Sequence, residues 1–156
     1  MRKPTPRGHD VQSEIVEISE GQTEAAVPAL QVLWPKYEAA EMTRIIDTEL
    51  RPNGYRLAGI FPEQDGPAAC IVGFRLQHSL WLGKSLYIVD MATLPDYRGR
   101  GYAALILDWV KAEAERLDCK ALHLDSAVGP ERSSAHRVYM GKRYQIACHH
   151  FVHKLG

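Results

Sequence analysis

Polar and apolar residues alternate through Glu14-Ile15-Val16-Glu17-Ile18, the period of a strand with one face in water. Residues 23–33 and 36–49 instead carry apolar side chains at helical spacing. Trp34-Pro35 parts these two helices, because a proline ring disfavours helical backbone in the residue before it. Arg51-Pro52-Asn53-Gly54 is a turn signal. Three β-rich runs follow, at residues 55–61, 68–77 and 86–92. Their links, Glu63-Gln64-Asp65-Gly66-Pro67 and Leu82-Gly83-Lys84-Ser85, are turn-like, which predicts an antiparallel meander.

The strongest helical pattern spans residues 101–117. Ala103, Ile106, Leu107, Val110, Ala114 and Leu117 share one face, with Asp108, Lys111, Glu115 and Asp118 opposite. Ala121-Leu122-His123-Leu124-Asp125 reads as the next strand, so strand, helix and strand form one crossover with a parallel pair. A short helix is expected over residues 133–140 and one or two closing strands over 144–155. This order predicts a single α+β domain layered α/β/α, with a mixed, mostly antiparallel sheet of six or seven strands and about four helices. Residues 1–12, with two prolines, a glycine and mixed charges, read as a flexible tail, which leaves 13–156 as the domain.

Composition narrows the function. At 156 residues and 46% hydrophobic, the chain suits one packed domain. Its 19 basic and 19 acidic side chains cancel, which argues against nucleic acid as the main partner. No apolar run approaches the roughly 20 residues that cross a membrane, and the basic start lacks the apolar segment of a secretory signal. A cytoplasmic protein is expected. Cys70, Cys119 and Cys148 are odd in number and form no C-x-x-C pair, so they read as buried structural thiols rather than a disulfide framework or a zinc site. His149 and His153 have metal-like spacing only on a helix, and the aromatic and β-branched Phe151-Val152 between them favour a strand. No metal is expected.

The chemistry concentrates in Leu94-Pro95-Asp96-Tyr97-Arg98-Gly99-Arg100-Gly101-Tyr102-Ala103. A glycine-rich loop that opens a helix presents backbone N–H groups the helix leaves unpaired, at the positive end of its dipole. That is a site for a pyrophosphate. Glycine at 99 and 101 lets the backbone approach a phosphate closely, and Arg98 and Arg100 add positive charge. Gly99-x-Gly101-x-x-Ala104 also fits a dinucleotide fingerprint. Against that reading, four residues separate the strand from Arg98, and only 55 residues follow Gly101, too few for a doubly wound domain.

Arg98-x-x-Gly101-x-Ala103 resembles the R/Q-x-x-G-x-G/A signature of the GNAT acetyltransferase superfamily. Downstream, Arg132-Ser133-Ser134-Ala135-His136-Arg137-Val138-Tyr139 is similar to that family's N-x-x-A-x-x-x-Y helix. The resemblance covers nearly all the chain from about residue 13. It implies an enzyme that moves an acetyl group from acetyl-CoA to a primary amine of a small molecule or peptide, with no metal, by direct attack. A non-catalytic acyl-CoA-binding module is the alternative. By resemblance, Tyr139 is the general acid for the leaving thiolate. Its phenol, with a pKa of about 10, is protonated at neutral pH, whereas the thiol's is about 8.5. Asp90 is the candidate base or water-positioning carboxylate, or else a buried charge that pairs with an arginine or a backbone N–H and only orders its strand.

The backbone of Met91, Ala92 and Thr93 is expected to hold the pantetheine arm like an added strand. Arg98, Gly99, Arg100, Gly101, Tyr102 and Ala103 would hold the diphosphate, with Arg132 and His136 lining the cofactor groove. Asp125 is a weaker candidate on the acceptor side. Trp34, Tyr37, Phe74 and Trp81 are candidates for walling an acceptor pocket, or for core. Arg132 stands where the family often has asparagine, and Arg143 where a glycine commonly precedes an aromatic residue. The second departure implies a different turn into the closing strands, on which a homodimer is allowed.

Overall fold

A computed structural model describes residues 14–156, so the sequence-predicted tail over residues 1–12 lies outside the described residues. The elements run β1 (Ile15–Ile18), α1 (Val27–Leu33), α2 (Ala39–Ile45), β2 (Arg56–Ile60), β3 (Cys70–Ser79), β4 (Gly83–Thr93), α3 (Tyr102–Arg116), β5 (Ala121–Leu124) and α4 (Ser133–Gly141). A 3-10 turn at Thr23–Ala26 leads into α1, whose second residue, Pro28, needs no intrahelical donor. Past α2 the chain widens into a π turn at Ile46–Leu50 and then closes on a 3-10 turn that Gly54 ends at φ 88°.

Among the described residues the sheet has five strands, in the order β1-β2-β3-β4-β5. The first three pairings are antiparallel, and β4 with β5 is parallel. The expected sheet of six or seven strands is therefore corrected to five. Residues 144–155, expected to close it, run as unpaired chain. Their composition is that of a strand, but a strand exists only where a neighbouring backbone completes its ladder, and among the described residues none does.

Two apolar clusters sandwich the sheet. Ile18, Leu30, Met42, Ile46, Leu57 and Ile71 pack under α1 and α2. Val72, Phe74, Leu86, Ile88, Ile106 and Val110 pack under α3 and α4. The start of β3, Cys70-Ile71-Val72, is buried on both faces, and its run of apolar residues follows from that. Charged residues bind the outer layers. Arg56 on β2 meets Glu17 on β1 at 2.7 Å and Glu113 on α3 at 2.7 Å, and Arg116 also reaches Glu113.

One irregularity decides the site. Gly73 pairs with Asp90 but Phe74 pairs with Ile88, so Val89 is an extra residue in β4. Such a bulge reverses the side-chain alternation beyond it. Leu86 and Ile88 face the α3 cluster; past the bulge Met91 faces it, while Ala92 faces the α1 cluster. Asp90 is thereby turned toward α1 and away from the apolar packing of α3.

Candidate acyl-donor and acceptor site

The parallel ladder covers Ser85–Ile88 against Ala121–Leu124 and stops there, whereas β4 continues to Thr93. Along Val89–Thr93 the backbone facing β5 has no strand partner among the described residues. Met91, Ala92 and Thr93 lie on this open edge. The edge leads into a 3-10 turn at Pro95–Tyr97, then an extended Arg98 (ψ 155°), then Gly99 at φ 74° and Gly101 at φ 80°. α3 begins at Tyr102, and no side chain caps its first turn.

Both glycines hold left-handed backbone that other residues adopt only at a cost. A β-carbon on either would meet no atom within 4 Å, so the space above them is open. Arg98 is exposed. Arg100 folds back, its guanidinium 4.8 Å from the centre of the Tyr97 ring and donating to the Asp96 carbonyl at 3.2 Å. Arg100 therefore shapes the loop, and the free charge beside the amides is that of Arg98. Tyr97 and Tyr102 stack at 6.4 Å across the turn, with Ala103 half-buried beside Tyr102.

Asp90 is 8% exposed and accepts two hydrogen bonds, from the Trp34 indole at 2.7 Å and from the Tyr55 hydroxyl at 2.7 Å. The Tyr55 phenol is raised well above its ordinary value by burial and by the charge of Asp90, so it stays a donor. Of the alternatives open for Asp90, local pairing is observed, although with aromatic donors rather than an arginine or a backbone N–H. Trp34 is 46% exposed, which carries the bound carboxylate to the rim of the α1 face. On that face Tyr87 donates to Asp125 at 2.6 Å. Burial, then Asp125 and, more weakly, Asp90 push the Tyr87 phenol up to about 12. Asp90 and Asp125 thus share one acidic face.

Tyr139 lies on the other face, 8% exposed, in the cluster that also contains Met91, Tyr102 and Leu124. Burial raises its phenol above the ordinary 10.0, and the nearby Arg132 charge pulls the other way. The Arg132 Nε is buried with no hydrogen-bond partner. His136 Nε2 lies 3.0 Å from the Ser126 hydroxyl and 3.1 Å from the Ala127 carbonyl. A carbonyl only accepts, so the proton sits on Nε2, and His136 ties α4 to the loop after β5.

The other sequence-predicted residues divide. Phe74 is fully buried and packs edge-on to Trp109 at 5.8 Å, so it is core, and Trp81 stands exposed on the β3–β4 hairpin at the far end of β4. Neither walls a pocket with Trp34. Tyr37 packs at the edge of the α1 cluster. Cys70 is buried, its thiol pushed up to about 11, but Cys119 is half-buried and Cys148 exposed, which corrects the expectation of three buried thiols. His149 and His153 lie outside any helix, so the spacing that would bring them together on one helical face is not formed, and no cluster of metal-binding side chains occurs among the described residues. Tyr55, Gly73 and the Val89 bulge were not anticipated. Gly73 was the available signal, since a lone glycine inside a strand often marks a bulge or a close approach.

A family model for the acetyltransferase (GNAT) family matches residues 19–142. The chain belongs to this family. The GNAT chain is 30% identical over 107 residues to aminoalkylphosphonate N-acetyltransferase of Salmonella typhimurium, covering 68% of this chain and 66% of that enzyme, just under two thirds of its length. It is 26% identical over 122 residues to thialysine N-epsilon-acetyltransferase of Sus scrofa, covering 70% and 72%. Among solved structures, aminoglycoside N-acetyltransferase AAC(6')-Iy in complex with CoA superposes with a TM-score of 0.78 at 16% identity, covering 97% of this chain and 99% of that one. Ribosomal-protein-alanine N-acetyltransferase of Brucella melitensis biovar Abortus 2308 gives 0.75 at 17%, covering 92% and 99%. At these identities the structures show the fold alone. Arg143, where the family commonly has glycine, takes φ 65°, in the left-handed region that glycine favours.

Proposed function

We propose that this GNAT protein transfers an acetyl group from acetyl-CoA to a primary amine, and that the acceptor is cationic in solution. The observation that carries this reading is the open edge of β4, ending in a glycine loop at a helix start, with a buried phenol on one side and two carboxylates on the other. Coenzyme A fits these residues. The backbone of Met91, Ala92 and Thr93 offers a ladder to a pantetheine amide, and the amides of residues 99–103 with Arg98 suit a diphosphate. The unpartnered Arg132 Nε supplies a donor beside Tyr139. The bound thioester supplies an activated acetyl group.

The chain's own residues do the rest. Tyr139 holds a proton on Oη through neutral pH and delivers it to the departing sulfur. Asp90 and Asp125 draw an ammonium to the α1 face. Each Asp90 oxygen keeps a lone pair after binding Trp34 or Tyr55, enough to take or relay the proton the amine sheds. α1 and α2 flank this entry, so acceptor choice falls to them. Both curated relatives named above are N-acetyltransferases, which supports an amine acceptor. We propose the cytoplasm, where acetyl-CoA is made and thiols stay free.

Thiol release from acetyl-CoA against a panel of polyamines, aminoalkylphosphonates, lysine analogues and aminoglycosides tests the proposal, with calorimetric titration of CoA alongside. Turnover with a cationic amine supports it. Tight CoA binding with no turnover across the panel assigns a binding module, and no CoA binding by folded protein removes both readings.

A further inference from the structure

Arg75 on β3, Tyr87 on β4 and His123 on β5 stand opposite one another across three strands. Arg75 shares the face of Ile71, which packs under α1, so the row lies on the α1 face of the sheet. The Tyr87 ring stacks on His123 at 5.0 Å, and the Arg75 guanidinium lies 5.8 Å from its centre. Asp90 and Asp125 lie beyond this row, toward the open edge of β4, because β4 and β5 run parallel. The face therefore carries its charges in order: a guanidinium, a phenol, two carboxylates, then the edge that suits the thioester.

The carboxylates are engaged and the cation is not. Asp90 is held by Trp34 and Tyr55. Asp125 accepts from Tyr87 at 2.6 Å and lies 3.3 Å from His150 Nδ1. Arg75 is exposed, and among the described residues its guanidinium forms no ion pair and no hydrogen bond. Arg56, on the opposite face, is by contrast tied to both Glu17 and Glu113. Arg75 touches neither Asp90 nor Asp125, although all three charges act on the Tyr87 phenol. Burial pushes the His123 imidazole below its ordinary value, which leaves Arg75 as the cation of this face of β3, β4 and β5. A guanidinium beside a ring keeps its N–H edge free, and that edge matches a carboxylate with two parallel bonds.

The spacing sets the length of what would bridge these charges. Gly73 pairs with Asp90, and Arg75 stands two residues along β3, roughly 7 Å farther from the open edge. That is about the length of an extended lysine side chain. An amine delivered to Asp90 on a chain of this length leaves its far end at Arg75. A second ammonium there meets like charge, whereas an acidic group meets a partner.

We propose that Arg75 binds the far end of the acceptor, and that the acceptor class is a primary amine carrying a carboxylate or other acidic oxygen group about one lysine side chain away. The amine enters first, toward Asp90, and the acidic end trails. This inference rests on the transferase reading for the fate of the amine, and adds the sign of the acceptor's other end.

Thiol release from acetyl-CoA tests it with two pairs of amines that differ only in a carboxylate, lysine against cadaverine and ε-aminocaproate against pentylamine. The member with the carboxylate should have a kcat/KM at least about fivefold higher, carried mainly by KM. Arg75→Ala should bring each pair within about twofold, Arg75→Lys should keep part of the preference, and Arg75→Glu should turn it toward cadaverine. In the unaltered protein, rising salt should shrink the preference, because Arg75 is exposed. That series decides even if a variant fails to fold. Equal use of both members by wild type, a preference that survives in Arg75→Ala, or turnover confined to amines without an acidic group would overturn the proposal and leave the transferase reading standing. No thiol release from any amine would count against the transferase reading instead. Titration of ε-aminocaproate and pentylamine into the CoA-bound protein, with Arg75 and with Arg75→Ala, then decides the proposal separately, and equal affinities overturn it.

Discussion

The Tyr55 ring crosses the face of Gly73, and its hydroxyl ends 2.7 Å from Asp90 on the next strand. A β-carbon at Gly73 would overlap both the Tyr55 hydroxyl and its ring, so the absent side chain is what lets a residue of β2's entry reach a carboxylate on β4. Gly73→Ala should therefore expel the Tyr55 ring and leave Asp90 with one donor. Losing a partner of a buried polar group costs about 1–3 kcal/mol, more when the group is charged. Tyr55→Phe should cost a similar amount without the clash. Because the phenylalanine ring would still overlap the alanine methyl, Tyr55→Phe should not rescue Gly73→Ala, whereas Tyr55→Ala should recover part of the loss. Urea denaturation of the four variants checks this, and rescue by phenylalanine would mean the ring does not cross Gly73.

A glycine required by conformation alone behaves differently. At Gly101, φ is 80° and nothing lies within 4 Å of a β-carbon. Gly101→Ala should lower stability only by the cost of left-handed backbone, about 1 kcal/mol. The methyl would stand where a phosphate must approach, so CoA affinity should fall by about tenfold or more. Calorimetric titration beside thermal unfolding separates the two effects. A variant with unchanged CoA affinity would move the diphosphate away from this loop.

How far the fold could be read in the sequence follows the range of each determinant. β4, the loop and α3 are local: an apolar run, a glycine pair and a 3.6-residue stripe, and each sits within two residues of its expected place apart from the N-terminal end of β4. Asp90 was legible as a candidate for the same reason, a charge inside a local apolar run, and Tyr139 through its resemblance to the family's helix motif. The Val89 bulge was not, because it exists only as a register shift between β3 and β4. Tyr55 reads locally as one more strand aromatic, and its tie to Asp90 spans 35 positions. The error over residues 144–155 has the same origin. Alternation and β-branching say that a segment can be a strand, but its partner is settled elsewhere.

Tyr139 carries the clearest prediction about rate. Tyr139→Phe keeps the ring that fills the cluster and deletes only the hydroxyl that carries the proton, so CoA affinity should hold within about twofold while kcat falls about 100-fold. Because burial holds the phenol above 10.0, it remains protonated on the alkaline side. Wild-type kcat should show no loss of the acid below about pH 9. An alkaline limb near pH 7 that disappears in the phenylalanine variant would contradict the raised phenol. A parallel rise in the CoA dissociation constant would make Tyr139 a binding group instead.

Glu113 predicts how the fold responds to acid. It is 9% exposed on α3, and hydrogen bonds from Arg116 and Arg56 outweigh burial to hold its carboxyl at about 2, against 4.5 unperturbed. In the unfolded chain the carboxylate takes a proton near 4.5, whereas the folded chain resists until about 2. The unfolded state therefore binds more protons in that window, and stability falls as the pH drops through it. The contribution is full above pH 4.5 and gone below about 2. Glu113→Gln cannot titrate, so it should be less stable than wild type at pH 7, with the gap narrowing between pH 4.5 and about 2. Arg56 would still hold Glu17, which keeps β1 and β2 joined and confines the effect to the contact of α3 with β2. Urea midpoints at pH 7, 4 and 3 for both proteins measure it, and a gap that stays constant with pH would show that Glu113 is not the group that binds the proton.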